Sequence, residues 1–200
     1  MPSKVEIAKV DAKLPVFETS WTEHLDEHKQ SILDHKKEFQ KTTKDNNVGA
    51  TWRSNWNIHH TDPRFSGIQT FFEKFVTEIA TQYWHTEGQY DCVNMWAMTY
   101  GSNEGAKYHN HFPSTMAVIY YVDVKEDSAP ICIGETCRPV ENGLVIAFPA
   151  ALDHFVPDDY KGERICIAAN LDHIVATARG CLLYTSPSPR DVEESRMPSC

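Results

Sequence analysis

This 200-residue chain contains no apolar run long enough to cross a membrane and no leader-like succession of basic, apolar and small residues at its start. The expectation is a soluble, cytoplasmic protein with no membrane partner. Positive charge is also scarce: 19 Lys and Arg stand against 28 Asp and Glu, for a formal net charge of −9. Such a surface repels phosphate backbones and argues against nucleic acid as the main partner. Cysteine is sparse, with six in all and no metal-knuckle spacing. Two of Cys92, Cys132, Cys137 and Cys166 sit inside apolar strand-like runs, as small buried hydrophobes do, so a disulfide framework is not expected. No internal repeat is present, and the sequence leaves the oligomeric state open.

The end of the chain is set aside. Cys181-Leu-Leu-Tyr-Thr-Ser-Pro-Ser-Pro-Arg-Asp191 is what a widely used transposon sequencing adapter gives when translated, and Ser195-Arg-Met-Pro-Ser199 resembles the outer adapter that follows it. Residues from about Gly180 onward are therefore treated as non-native read-through, with the natural sequence expected to break off near Arg179. What remains, 1–179, is expected to be one domain, helical over about 1–90 and β-rich over about 91–179.

Within the first part, Val5, Ile7 and Val10 suggest an edge strand ahead of Pro15. Ser20-Trp-Thr-Glu23 fits a capping box, and Trp21, Leu25, His28, Ile32, Lys36 and Phe39 then recur at helical spacing. His24, His28 and His35 of that helix read as surface or packing residues, not as a metal cluster. A polar stretch follows from Lys41 to Pro63, a loop or lid with a short strand expected around 52–56; its His59-His60 pair reads as loop polarity. A second helix is expected over Gly67 to Trp84, with Ile68, Phe71, Phe72, Phe75, Ile79 and Tyr83 as its apolar stripe. From Asp91 the pattern changes to short β-rich runs at 92–100, 114–124, 131–133, 143–148, 155–156 and 164–175, joined by links too short for parallel crossovers. Helices first and antiparallel strands afterwards give an α+β chain. Its compact solution is a jelly roll with two N-terminal helices on an outer face.

The chemistry concentrates in Lys107-Tyr-His-Asn-His-Phe-Pro113. Side chains alternate along an extended segment, so His109 and His111 point the same way and one metal ion can take both imidazoles. The best third ligand is His154, in Leu152-Asp-His154, and Arg164 follows ten residues later at the head of an apolar run.

Several pieces in this order resemble a family: Trp96 on a strand, Tyr100-Gly101, His109-Asn-His111-Phe-Pro113, Val118-Ile-Tyr-Tyr-Val122, Gly143-Leu-Val-Ile-Ala-Phe-Pro149, Leu152-Asp-His154 and Glu163-Arg164-Ile-Cys-Ile-Ala-Ala-Asn170. Together they are similar to the iron(II) and 2-oxoglutarate dependent oxygenases built on a double-stranded β-helix (a cupin-like jelly roll), in particular bacterial and phage members with a His-x-His-x-Pro signature. The resemblance implies Fe(II), 2-oxoglutarate as cosubstrate and O2, with hydroxylation of a C–H bond in a small-molecule or peptide substrate. It implies His109 and His154 as metal ligands and Arg164 as the fork that pairs with the distal carboxylate of 2-oxoglutarate. Tyr100 and Tyr121 fall where prolyl-hydroxylase-like relatives place cosubstrate contacts.

His111 departs from the family, whose commoner pattern has a carboxylate there. Either three histidines hold the metal, or Asp153 or Glu135 supplies the carboxylate and His111 stands behind it. Asp153 points away from His154 in a regular strand, which favours three histidines. Two other classes stay open: a three-histidine cupin-type iron dioxygenase that needs no 2-oxoglutarate, and a jelly-roll binding module without chemistry.

Overall fold

The structure, a computed structural model, describes residues 13–41 and 47–174. The edge strand expected at Val5 to Val10 and the stretch from Gly180 onward lie outside them. In chain order the strands are β1 Phe17–Ser20, β2 Trp52–Arg53, β3 Gln89–Tyr100, β4 Ala106–His109, β5 Met116–Val124, β6 Ile131–Ile133, β7 Thr136–Arg138, β8 Leu144–Pro149, β9 His154–Val156 and β10 Arg164–Ile174. The helices are α1 Leu25–Glu38, α2 Ile58–Thr61 and α3 Ser66–Tyr83.

The strands pair antiparallel into a six-stranded sheet, ordered β1-β8-β5-β10-β3-β2, and a four-stranded sheet, ordered β4-β9-β6-β7. This is the double-stranded β-helix expected from the sequence, with α1 and α3 against the outer face of the larger sheet.

Strict alternation along the central strands divides the core in two. Met95 and Ala97 of β3, Val118 and Tyr120 of β5, and Ile165, Ile167, Ala169 and Leu171 of β10 face the helices, where they meet Ile32, Ile68, Phe72 and Val76. Trp96, Met98 and Tyr100, then Ala117, Ile119 and Tyr121, then Cys166 and Ala168 face the smaller sheet. Burial of each large apolar side chain contributes about 1.5–3 kcal/mol, so the helix-side layer carries most of the stability and the other face is left to build a site.

α1 buries His28, Ile32 and His35, and its charges complement the helix dipole, with Asp26 and Glu27 in the first turn and Lys36 and Lys37 in the last. Its start differs from the expected capping box. Ser20 is the last residue of β1, opposite Leu144, and Trp21 N donates to Gly143 O at 2.8 Å, so the sheet claims the residues that were to cap the helix. The helix begins after His24, whose φ is 66° and whose side chain makes no cap bond. His28 and His35 are packing residues: His28 Nδ1 meets the Tyr120 hydroxyl at 3.1 Å and His35 Nδ1 donates to Asp62 Oδ2 at 2.7 Å.

α3 matches the expected second helix within one residue at each end, but its buried stripe is Ile68, Phe72, Val76, Ile79 and Ala80. Phe71 and Phe75 are only partly buried, and Tyr83, in the last turn with its ring edge-on to Phe17 of β1, is 56% exposed. The described part of the expected loop, 47–63, is more ordered than a loop. It contains β2 on the edge of the larger sheet and α2, whose His59 is buried with Nε2 donating to Cys92 O at 3.2 Å.

One disulfide joins Cys132 to Cys137, against the expectation from the sequence. β6 and β7 form a tight hairpin around Gly134, at φ 56°, and place the two cysteines directly opposite each other. Cys92 and Cys166 are free and buried.

Among the described residues no helix is long and apolar enough to cross a membrane.

Candidate metal centre

His109 ends β4 and His154 begins β9, and the two are direct partners in the smaller sheet. Gly105 allows this closeness: a Cβ there would stand 2.3 Å from Val156 O, so any side chain would push β4 off β9. His111 lies just past β4 in a turn tied down by His111 N donating to Ala150 O (2.8 Å) and Ser114 N donating to His111 O (3.0 Å). One ligand atom from each of the three imidazoles can be chosen so that all lie within 4.8 Å of one another.

The outer ring nitrogens determine which atoms face inward. His109 Nδ1 is 2.6 Å from Lys107 O, His154 Nδ1 is 3.2 Å from Leu152 O, and His111 Nδ1 is 2.6 Å from Asn170 Oδ1. All three partners are oxygens that can only accept, so each Nδ1 carries a proton, and in the neutral ring each Nε2 then presents a lone pair. His109 Nε2 and His111 Nε2 are 3.4 Å apart. With both protons on the far side, no hydrogen lies between these nitrogens, and two converging lone pairs call for a cation. Nitrogens on bonds of about 2 Å to one metal sit about 3 Å apart, which this spacing fits. Burial, followed by the neighbouring His111 and His109, lowers the pKa of His154 to about 3, which keeps its lone pair available at neutral pH.

Neither carboxylate considered from the sequence joins the group. Asp153 Oδ1 accepts from Asn110 Nδ2 at 2.8 Å, and Glu135 is exposed in the β6–β7 turn. Among the described residues the three histidines are the only such cluster.

The same pocket contains Arg164, which alternation along β10 turns toward the smaller sheet. It is 3% exposed, its guanidinium carbon lies 3.9 Å from the centre of the Tyr100 ring, and its Nη2 has no hydrogen-bond partner. No ion pair to Asp153, Asp158 or Asp159 satisfies it. A buried guanidinium with an open N–H is costly by itself and is ready to receive an anion. Tyr100 and Tyr121 are buried beside it, and burial raises the pKa of both hydroxyls, so they are donors and not phenolates. Tyr100 Oη donates to Met98 Sδ at 3.3 Å, and Tyr121 lines the same pocket. Cys166, unremarked as a site residue in the sequence, also lines the pocket, with burial pushing its thiol up to about 11. Trp96, Met98, Ile119 and Ile131 complete an apolar wall.

A second, more open groove of about 870 Å³ adjoins this pocket and shares Val48, Ala106 and Val156 with it. Tyr108 and Phe155 form its aromatic side, and Asp158 and Asp159 its acidic end.

No family model and no curated protein sequence matches the chain. Solved structures do. The viral collagen prolyl hydroxylase vCPH of Paramecium bursaria Chlorella virus-1, in its 2OG complex, superposes with a TM-score of 0.59 at 14% identity, over 80% of this chain and 96% of that one. A Pseudomonas putida prolyl-4-hydroxylase gives 0.60 at 8% identity, over 80% and 93%. A Trichoplax adhaerens prolyl hydroxylase in complex with a hypoxia inducible factor peptide fragment gives 0.59 at 11% identity, over 86% and 87%. Likeness this extensive at so little identity is a likeness of fold: the chain has the double-stranded β-helix of the prolyl hydroxylases.

Proposed function

We propose that this protein is an iron(II)- and 2-oxoglutarate-dependent dioxygenase that hydroxylates a C–H bond of a peptide or small-molecule substrate. The observation that carries the proposal is the shared pocket: three imidazoles present Nε2 lone pairs to one point, and a buried arginine with an unpartnered Nη2 lines the same wall. A dicarboxylate that reaches from metal to guanidinium fits that pair of demands. Arg164 holds its distal carboxylate, and the Tyr121 hydroxyl, which lines the same pocket, donates to it. His109, His111 and His154 hold the metal, with their tautomers set by Lys107 O, Asn170 and Leu152 O. When bound, iron and 2-oxoglutarate supply the oxidation by O2, with succinate and carbon dioxide as co-products. The chain supplies placement and dryness: Trp96, Ile119 and Ile131 keep water from the pocket, and the adjoining groove gives a substrate its approach past Val48 and Val156.

The absence of a protein carboxylate from the ligand set supports a second reading, a three-histidine dioxygenase in which Arg164 holds the carboxylate of the substrate itself. One experiment separates them. The Fe(II) protein is titrated anaerobically with 2-oxoglutarate by calorimetry and then exposed to air, with succinate measured. Saturable binding and succinate release are expected; tight iron binding with neither would overturn the proposal in favour of the second reading.

A further inference from the structure

The environment of His111 goes further than metal ligation, on which it rests. Asn170 Oδ1 accepts from His111 Nδ1 at 2.6 Å, Asn170 Nδ2 donates to Asn94 Oδ1 at 3.5 Å, and Asn94 Nδ2 donates to Asn57 Oδ1 at 3.3 Å. An amide has one donating and one accepting end, so each member of this row fixes the orientation of the next. With its NH2 turned to Asn94, Asn170 can offer His111 only its oxygen. The backbone builds the row in: Asn170 and Asn94 are direct partners between β10 and β3, and Asn57 bridges to Met95. A register shift follows immediately after Asn170, where Leu171 pairs with Cys92 and the strand re-aims.

We infer that Asn170 is a positioning residue that locks His111 in its metal-binding tautomer and keeps the centre free of protein negative charge, so that the metal and an anionic cosubstrate each depend on the other to bind. The three Nδ1 partners are two backbone carbonyls and one amide, and the ligands are three neutral imidazoles. A divalent ion at this point therefore keeps its whole charge, with the Arg164 cation in the same pocket. Among the described residues no carboxylate joins the three histidines, so the anion that binds between metal and guanidinium offsets both. Coupling of this kind is reciprocal: whatever factor the dicarboxylate adds to metal affinity, the metal adds to dicarboxylate affinity.

The test uses Co(II), whose visible spectrum reports its ligands, titrated into the whole protein with and without 2-oxoglutarate. For the wild type, 2-oxoglutarate is expected to tighten Co(II) at least tenfold. Asn170→Leu removes the acceptor and should weaken Co(II) about 10–100-fold, the usual range for loss of such a partner, with an altered spectrum and an unchanged melting temperature. Asn170→Asp keeps the acceptor but makes it anionic; it should bind Co(II) alone as tightly as the wild type or more so, and the enhancement by 2-oxoglutarate should shrink. Asn94→Leu, one amide further back, should weaken Co(II) in the same direction and serves where Asn170→Leu does not fold. Wild-type Co(II) affinity and spectrum in both leucine variants, or undiminished enhancement in Asn170→Asp, overturns the inference. His109→Ala and His154→Ala address the underlying metal site: wild-type Co(II) binding in these overturns the metal centre itself, and the inference with it.

Discussion

The guanidinium carbon of Arg164 lies over the Tyr100 ring, 3.9 Å from its centre, while Nη2 stays unpaired. The ring holds the guanidinium on one side, and the unpaired Nη2 remains for an anion in the pocket. Arg164→Lys keeps the charge but loses both the stacking and the fork. The concentration of 2-oxoglutarate needed for half-maximal succinate formation should rise at least tenfold, with Fe(II) affinity measured without cosubstrate nearly unchanged. Equal dependence on 2-oxoglutarate in the variant would remove Arg164 from the role given to it.

His111 stands where the common pattern has a carboxylate, so its replacements should divide by chemistry. His111→Asp offers a charged oxygen in place of a nitrogen and should retain Fe(II) binding, whereas His111→Ala should lose it by a factor of ten or more. His109→Ala and His154→Ala should abolish binding at micromolar metal. Removal of metal from the wild type with a chelator should stop succinate formation, and Fe(II) should restore it.

Away from the site, Asp62 joins α1 to the segment before α3. Burial raises its pKa, but hydrogen bonds from Arg64 and His35 outweigh this and hold the carboxyl at about 2. Since the folded value lies below the ordinary 3.8, the stabilisation is complete above about pH 4 and is lost as pH falls toward 2. It amounts to about 2 kcal/mol. Asp62→Asn should be less stable than the wild type at pH 7 in chemical denaturation, and the gap should narrow below pH 4. A constant gap from pH 7 to pH 2 would contradict the linkage.

The Cys132–Cys137 bond closes a short loop, for which chain-entropy arguments give about 2 kcal/mol. Non-reducing peptide mapping should find the pair linked, and Cys132→Ser with Cys137→Ser should lower the melting temperature by several degrees. An unchanged melting point would mean that the hairpin needs no covalent tie.

Much of this was legible in the sequence because period-two alternation is a local signal. Alternation along Arg164 to Asn170 puts Arg164 and Cys166 on one face, and both line the pocket. What was hidden depended on distant partners. Ser20-Trp-Thr-Glu23 has the form of a helix cap, and nothing nearby reveals that β8 takes Ser20 into a sheet. β4 is only four residues long and shows no apolar alternation, so it read as the approach to the histidines and not as a strand. Cys132 and Cys137 flank a Gly-Glu turn, a hairpin signal outweighed by the low cysteine count. Asn170 resembled an ordinary polar strand end; its meaning appears only when His111, 59 positions earlier, is brought against it.

The pocket has walls of unequal firmness. β10 is bonded on both sides, to β3 and β5, and its other face is packed under the helices, so Arg164 and Asn170 belong to the part of the molecule that opens only when the whole domain unfolds. β4 and β9 are four and three residues long, and β4 is an edge of the smaller sheet. Room for a substrate is therefore made on the side of His109 and His154. In amide hydrogen exchange this sets an order: Tyr108 and Phe155 exchange early, Ile167 last, and binding of metal with 2-oxoglutarate slows the first pair without changing the last.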